Sequence, residues 1–228
     1  MSGGTHDHEH GDGHGHGHAH PGVQPDHPEP MSDAALLGVA LCDLLIEKGY
    51  WTAEDERRKV EEIDAITPAL GARMVARAWA DPGYRARLLA DAFKAAEELG
   101  IEAGYVQMTA LENTPAVHNV VVCTLCSCYP RTLLGRPPAW YKSAEYRARV
   151  VREPRKVLAE WGTHIPLDRE VRVHDSTAEL RYIVVPMRPE GTEGWSEEEL
   201  ARLVTRYAMV GVAEALAPGA LQPGGAAQ

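Results

Sequence analysis

Apolar residues in the first hundred positions recur at the three- and four-residue spacing of amphipathic helices. Residues 33–48 place four leucines on one helical face, and Gly49 ends that helix. Further helices are predicted over residues 53–64, 69–80 and 84–99, the first of them rich in charges and opened by Thr52-x-x-Asp55, which resembles a capping box. The turn sequence Asp81-Pro82-Gly83 separates the last two.

The pattern changes after residue 105, where short runs of β-branched and aliphatic residues predict strands. The predicted strands cover residues 106–111, 117–123, 171–173 and 180–185. Thr114-Pro115 indicates a turn between the first two, and Asp175-Ser176 indicates a hairpin between the last two. A charged helix over 143–161 is expected to break at Pro154, and a last helix is predicted over 197–207. The fold class is therefore α+β.

The chain of 228 residues divides into four segments by composition and pattern. Residues 1–30 hold eight histidines among Gly and Asp, cannot bury a core, and are expected to be disordered. This tail is either a metal-gathering segment or a solvated one with incidental metal affinity. We expect a helical arm for subunit contacts over 31–100, a mixed α/β domain over 101–212 and a flexible tail over 213–228.

Charge and composition exclude several classes of protein. The formal net charge is −10, and residues 1–30 contribute five acids with no Lys or Arg. A net-acidic body lacks the basic face that binds a polyanion, so nucleic acid is not an expected partner. No apolar run reaches the roughly 20 residues that span a bilayer, and no signal-peptide layout is visible. These features predict a cytoplasmic protein with no membrane partner.

Three of the four cysteines lie within six positions, in the string Val122-Cys123-Thr124-Leu125-Cys126-Ser127-Cys128. The fourth, Cys42, stands alone in a helical pattern. Disulfide scaffolds spread their cysteines to close loops, whereas a tight cluster more often binds a metal or carries out redox chemistry. The pair at 126 and 128 is also too close for an unstrained disulfide.

The cluster has the spacing to surround one metal ion. If the main-chain amides of Ser127 and Cys128 lose their protons, two sulfurs and two nitrogens form a near-planar claw, with Cys123 as the axial sulfur. One position then stays open for substrate or water, in an arrangement that suits a small trivalent ion such as Co(III) or Fe(III). A tetrahedral zinc site, with His118 as the nearest fourth ligand, and a thiol redox switch are the alternatives at this point.

The sequence resembles the α subunit of nitrile hydratase, whose metal motif is the string V-C-T-L-C-S-C. The resemblance covers roughly residues 33–212 and includes flanking segments at 112–115, 137–143, 145–155, 181–186 and 188–195. It implies a four-layered α-β-β-α catalytic domain over 101–212. It also implies a hetero-oligomer with a β subunit or with two different partners, and an activator protein or metallochaperone for maturation.

The resemblance implies a role for each residue of the motif. Cys123, Cys126 and Cys128 are thiolate ligands, together with the main-chain nitrogens of Ser127 and Cys128. Cys126 is oxidised to a sulfinate and Cys128 to a sulfenate. Thr124 corresponds to the cobalt version of the motif rather than the iron version, and Ser127 hydrogen-bonds near the open position.

The implied activity is hydration of a nitrile to its amide at low-spin Co(III), or less readily Fe(III). A trivalent ion is a Lewis acid that polarises a nitrile or lowers the pKa of bound water, and either water or the sulfenate oxygen of Cys128 can attack the carbon. Arg181 and Glu179 match positions that support the claw in the family. Arg181 is either a charge-assisted partner at the subunit interface or an exposed residue in a surface ion pair.

Two departures from the family concern the substrate. The family usually has Thr-x-Trp-Pro after the last cysteine, but here the run is Tyr129-Pro130-Arg131-Thr132. In addition, Gly104 stands at the position where many family members have Gln. Together with the histidine-rich N-terminus, this run resembles the related γ subunit of thiocyanate hydrolase, or the three-subunit nitrile hydratases that act on nucleoside nitriles. Arg131 can bind a small anion such as thiocyanate or hydrogen-bond a polar nitrile. Hydrolysis of thiocyanate to carbonyl sulfide and ammonia is therefore the alternative activity, and a non-catalytic metal carrier is a lesser one.

Overall fold

The computed structural model describes residues 31–104, 106–126 and 128–220, and the chain divides into two compact units between Thr52 and Ala53. The first unit contains helix α1 (Asp33–Glu47), which begins where the side chain of Ser32 accepts a hydrogen bond from the Ala35 amide. Gly49 follows this helix with a φ of 73°, a conformation that favours glycine. The predicted histidine-rich tail lies outside the described residues.

The second unit contains ten further α-helices and four strands within the described residues. The helices are α2 (Ala53–Asp64), α3 (Ala69–Ala80), α4 (Pro82–Ala90), α5 (Ala92–Glu98), α6 (Arg131–Leu134), α7 (Ala139–Lys142), α8 (Ala144–Arg149), α9 (Pro154–Glu160), α10 (Glu197–Ala201) and α11 (Arg206–Val210). The strands are β1 (Gln107–Glu112), β2 (Val117–Val122), β3 (Glu170–Asp175) and β4 (Leu180–Val185). No helix in these described ranges has the length and apolar character required to cross a bilayer.

The four strands form two parallel pairs, β1 with β4 and β2 with β3. The predicted hairpin at Asp175-Ser176 is therefore wrong. The Ser176 amide donates to the carbonyl of Val122 at 2.7 Å, which extends the pairing of β3 with β2, and the chain then enters the other sheet at Leu180. Parallel pairing sets Asp175 opposite Val122, the residue before Cys123.

The two sheets pack on each other between helices. Helices α4 and α5 contact β1, α11 contacts β4, and α9 contacts β3 on the other side. Two runs of buried residues, Val120–Val122 and Ile183–Val185, form the middle of the core. The α+β class and the helix–sheet–sheet–helix order are therefore confirmed.

Two predicted helices are each divided by a residue that caps a new helix. The helix predicted over 84–99 breaks at Asp91, which has an extended φ of −154° and whose carboxylate accepts the Lys94 amide at 3.1 Å. The helix predicted over 197–207 ends early, and Thr205 then caps α11. A side chain that accepts the first amides of a helix favours a new start over continuation.

The core draws on residues before 101 as well as after it. Met74 and Val75 of α3 and Ala95 of α5 are fully buried in the same cluster as the strands. The compact unit accordingly begins at Ala53 rather than near residue 101, where the pattern changes. The chain after residue 212 is also hydrogen-bonded to this unit, because the Leu216 amide donates to the carbonyl of Leu203 at 2.9 Å.

His118 is a fully buried polar residue at the start of β2. One ring nitrogen lies 2.8 Å from the Gly211 carbonyl, and the other lies 3.3 Å from the side-chain nitrogen of Asn113. Burial lowers the pKa of His118, with the nearby Arg169 and Arg155 acting in the same direction. The folded protein therefore favours the neutral ring.

This pKa shift predicts how stability depends on pH. At pH values above the unfolded-state pKa of about 6.5, the buried neutral ring of His118 makes its full contribution to the free energy of unfolding. As the pH falls towards the lower folded-state pKa, the unfolded chain binds the proton first, and the free energy of unfolding decreases by up to about 1.4 kcal/mol per pH unit. Urea unfolding as a function of pH should show this decrease in the wild type and a smaller one in His118→Gln. Equal slopes in the two proteins would contradict the assignment.

Candidate metal centre

The three clustered cysteines converge directly after strand β2. The Sγ atoms of Cys123 and Cys126 are 3.5 Å apart, those of Cys126 and Cys128 are 3.3 Å apart, and all three lie within 4.8 Å of one another. Cys123 is buried, Cys128 is partly buried and Cys126 is exposed. Ser127, predicted to supply a ligand nitrogen and a hydrogen bond, lies outside the described residues.

The loop carrying these thiols is fixed on one side through Thr124. The carboxylate of Asp175 accepts the Thr124 amide at 2.9 Å and the Thr124 hydroxyl at 2.6 Å. The carbonyl of Thr124 accepts a hydrogen bond from the Arg147 guanidinium at 3.1 Å. All three polar groups of Thr124 are thus hydrogen-bonded to the fold. Two of these bonds form because the β2–β3 register places Asp175 beside this loop.

Aromatic side chains fix the opposite side of the loop. The Tyr141 hydroxyl donates to the carbonyl of Cys128 at 2.8 Å, and the Tyr146 hydroxyl donates to the carbonyl of Val121 at 2.8 Å. Trp140 packs edge-on against both tyrosine rings, with centroids 5.8 Å and 5.0 Å away. The hydrogen bonds hold the backbone at both ends of the cysteine cluster.

The electrostatics of the cluster suit a bound cation. Burial, reinforced by hydrogen bonds with Cys126 and Cys123, raises the pKa of the Cys128 thiol to about 12, and the nearby Arg181 opposes this rise only in part. Without a cation, three adjacent sulfurs cannot all be thiolates, since like charges repel at this distance. A metal ion replaces those protons, so the donor set fits a thiolate-bound metal.

The group that the structure gathers consists of three thiols, with no His, Asp or Glu joined to it among the described residues. Both ring nitrogens of His118 are engaged elsewhere, at Gly211 and Asn113. The described residues therefore supply no fourth ligand for a closed tetrahedral site.

The remaining predicted site residues lie on two segments beside the cluster. Arg131 is the first residue of α6, and with Arg181 it borders a cavity of about 170 Å³ that Tyr129 also lines. Arg181 donates to the carbonyls of Thr177 and Leu180 and forms no ion pair among the described residues. Its influence on the pKa of Cys128 places its charge near the thiols.

Glu179 has a local role in the structure. Its carboxylate accepts a hydrogen bond from the Thr177 hydroxyl at 3.1 Å, and its amide donates to the same hydroxyl at 3.3 Å. These bonds shape the turn that leads into β4. No hydrogen bond between Glu179 and the three cysteines is present within the described residues.

Sequence reasoning missed Asp175, Arg147 and Tyr141 as supports of the cysteine loop. The sequence pattern predicts Asp175 only as part of a hairpin turn and Arg147 only as part of a charged helix. The only sequence signal for Asp175 was an acidic residue at the end of a strand. Its partner could be inferred only if β2 and β3 were known to be parallel.

This α+β unit gathers three thiols that could together hold a metal ion. Residues 32–213 match the family described as "Nitrile hydratase, alpha chain". The chain belongs to the nitrile hydratase α-chain family, which confirms the resemblance inferred from the motif.

Similar proteins include members with different activities and metals. The chain is 52% identical over 183 residues to the cobalt-containing nitrile hydratase subunit alpha of Pseudonocardia thermophila, covering 78% of this chain and 89% of that protein. It is 44% identical over 197 residues to thiocyanate hydrolase subunit gamma of Thiobacillus thioparus, covering 81% of each. A solved double mutant of the Fe-type nitrile hydratase from Comamonas testosteroni Ni1 superposes with a TM-score of 0.76 at 41% identity, covering 87% of this chain and 98% of that one.

Proposed function

We propose that this chain is the metal-bearing subunit of a cytoplasmic nitrile hydratase, which converts a nitrile to the corresponding amide. The observation that carries the proposal is the convergence of Cys123, Cys126 and Cys128 within 4.8 Å in a member of the nitrile hydratase α-chain family. Cobalt is favoured by Thr124 in the motif and by the cobalt-containing relative from Pseudonocardia thermophila. Iron is the alternative, since an Fe-type enzyme has a similar structure.

In this proposal the chain's own groups hold the ion and shape its surroundings. The three thiols and the main-chain nitrogens of Ser127 and Cys128 are the ligands, with Cys126 oxidised to a sulfinate and Cys128 to a sulfenate. A bound low-spin trivalent ion supplies the Lewis acidity that makes a nitrile carbon electrophilic. Asp175 and Tyr141 keep the loop in place at Thr124 and Cys128, so the ligands are positioned before any substrate arrives.

The proposal includes partner chains. The subunit works with a nitrile hydratase β subunit, or with two separate partner subunits, and an activator or metallochaperone loads the ion. Family membership supports this, since the family is named for one chain of a multi-chain enzyme. The proposal includes supporting roles for Arg181 and Glu179 in the same assembly, and the effect of Arg181 on the pKa of Cys128 supports the first of them.

The test is to produce the full chain with its partner subunits in medium containing cobalt or iron. We expect one tightly retained trivalent ion per chain, mass spectra with two added oxygens at Cys126 and one at Cys128, and hydration of acetonitrile. Readily exchangeable metal with three unmodified thiols and no turnover would instead indicate a metal carrier. Retained tetrahedral zinc would also reject the proposal.

Thiocyanate hydrolysis is the second candidate function, and the cavity beside Arg131 favours it. Two arginines, Arg131 and Arg181, are among the residues that line a space of about 170 Å³, together with Tyr129, the residue after Cys128. A space of this size with positive charge suits a small linear anion. The relative from Thiobacillus thioparus is a thiocyanate hydrolase subunit.

The Arg131→Gln variant separates these two activities. Removing the charge should lower kcat/KM for thiocyanate by about 10-fold or more, because an anion loses a charge-assisted contact. The kcat/KM for acetonitrile, a neutral substrate, should change by no more than about twofold. Arg136→Gln, which removes an exposed arginine five residues along, is the matched control. An equal loss for both substrates would show that Arg131 does not select for charge.

A further inference from the structure

Arg169 is a buried arginine at the end of the sheets remote from the cysteines. It immediately precedes β3, and only 6% of its surface is exposed. The neighbouring chain segments are those that follow β1 and β4, including Asn113 and Met187. Strand β2 starts from this end, and its six residues, about 20 Å in length, separate Arg169 from the cysteine loop.

The guanidinium of Arg169 has an unequal set of partners. Its Nη1 donates to the Glu214 carboxylate at 2.7 Å. Its Nη2 reaches only the sulfur of Met187, at 3.4 Å, and its Nε has no partner. The Nε and Nη2 hydrogens form the side of a guanidinium that pairs with both oxygens of a carboxylate. On Arg169 this bidentate side lacks any oxygen acceptor among the described residues.

Such an arrangement is unfavourable unless something completes it. A buried donor without a partner loses its hydration and gains nothing in return, and a charged donor loses most. Thioether sulfur is a weak acceptor and does not replace an oxygen. The second guanidinium here, of Arg188, is different because all its nitrogens donate to the Thr192 side chain and carbonyl and to the Trp79 carbonyl.

Space for a missing acceptor exists beside Arg169. A cavity of about 220 Å³ is bordered by Arg169, Arg188, Met187, Asn113 and Glu214. The positive charges of Arg169 and Arg188 together exceed the single negative charge of Glu214. Met187 is 39% exposed and unbranched, so its side chain can turn away from the guanidinium at little cost. The cavity therefore admits a small anion next to the unpaired side of Arg169.

We propose that the Nε and Nη2 side of Arg169 binds a carboxylate. The carboxylate is either a small free acid or an Asp or Glu side chain of a partner subunit, since both present the same two oxygens. The site lies away from the cysteine loop and does not depend on which reaction that loop catalyses.

Acetate is the probe for the free acid. The thermal unfolding midpoint of the full chain should rise with sodium acetate and saturate, whereas sodium chloride at the same ionic strength should not reproduce the rise. Arg169→Lys keeps the charge but loses the paired donors, so the apparent acetate affinity should fall about tenfold or more. Arg152→Lys, at an exposed arginine, is the matched control and should respond like the wild type.

The Glu214→Gln variant is expected to change the acetate response in the direction opposite to Arg169→Lys. Because Glu214 competes electrostatically for the same guanidinium, removing its charge should strengthen the acetate response. If the pair of Arg169 and Glu214 is instead purely structural and closed to ligands, the Glu214→Gln variant should be less stable and should show no acetate response. This difference keeps the test decisive even if Arg169→Lys is itself less stable.

Repeating the titration on the assembled enzyme distinguishes the two sources of the carboxylate. A free ligand predicts the same acetate response in the complex. A partner carboxylate predicts that assembly abolishes the response and that Arg169→Lys weakens subunit association. The proposal is overturned if acetate acts no differently from chloride on the isolated chain and Arg169→Lys leaves assembly unchanged.

Discussion

Replacing Cys123 with serine is expected to eliminate the metal centre and to reduce turnover to background. Cys123 is 1% exposed and its sulfur lies 3.5 Å from that of Cys126. A serine hydroxyl does not ionise in this setting and is a poor ligand for a thiolate-selecting ion. The loss should exceed the 10- to 100-fold effects, roughly, that follow changes around a ligand rather than at it. Metal content and kcat on the assembled enzyme measure it.

The fourth cysteine provides the control for this variant. Cys42→Ser makes the same chemical change in helix α1, which belongs to the other compact unit. Metal content and turnover should match the wild type. If Cys123→Ser retains its metal while Cys42→Ser loses it, the cluster after β2 is not the metal centre. Far-ultraviolet circular dichroism of both variants establishes that each is folded.

The Asp175→Asn variant is expected to weaken metal retention by roughly 10- to 100-fold without removing a ligand. Asp175 accepts both the amide and the hydroxyl of Thr124, and an asparagine can offer an oxygen to only one of them. The cysteine loop then loses part of its support, and the ligands are held less firmly. Competition with a chelator measures metal affinity, and kcat on metal-saturated enzyme measures the positioning effect.

Two companion variants define what this result means. Glu170→Gln, at the start of the same strand, removes an exposed carboxylate that pairs with Arg172, and it should leave both metal affinity and stability close to those of the wild type. Thr124→Ser keeps the hydroxyl and should keep the metal affinity. Unchanged affinity in Asp175→Asn would show that Arg147 and Tyr141 are sufficient to hold the loop.

Periodicity located most elements but not their breaks. The first three helices were predicted within a residue of their observed ends, from apolar spacing in the first and third and from a start signal in the charged second. Asp91 and Thr205 interrupt apolar patterns that read as continuous, because capping depends on one side chain reaching the next amides. Strand pairing was missed for a different reason. Asp175-Ser176 is a turn sequence whether or not the two flanking strands pair with each other.

The sequence by itself indicated which thiols could gather, because three cysteines at spacings of three and two can converge within one tight loop. It also determined the family, through a motif long enough to be distinctive. The tertiary structure alone decided what supports the motif, since Asp175 and Tyr141 come from segments 13 residues or more away from the atoms they bind. It likewise decided that Arg169 is buried with one side unpaired. Both are long-range contacts set by strand register and packing, which the local pattern of residues does not encode.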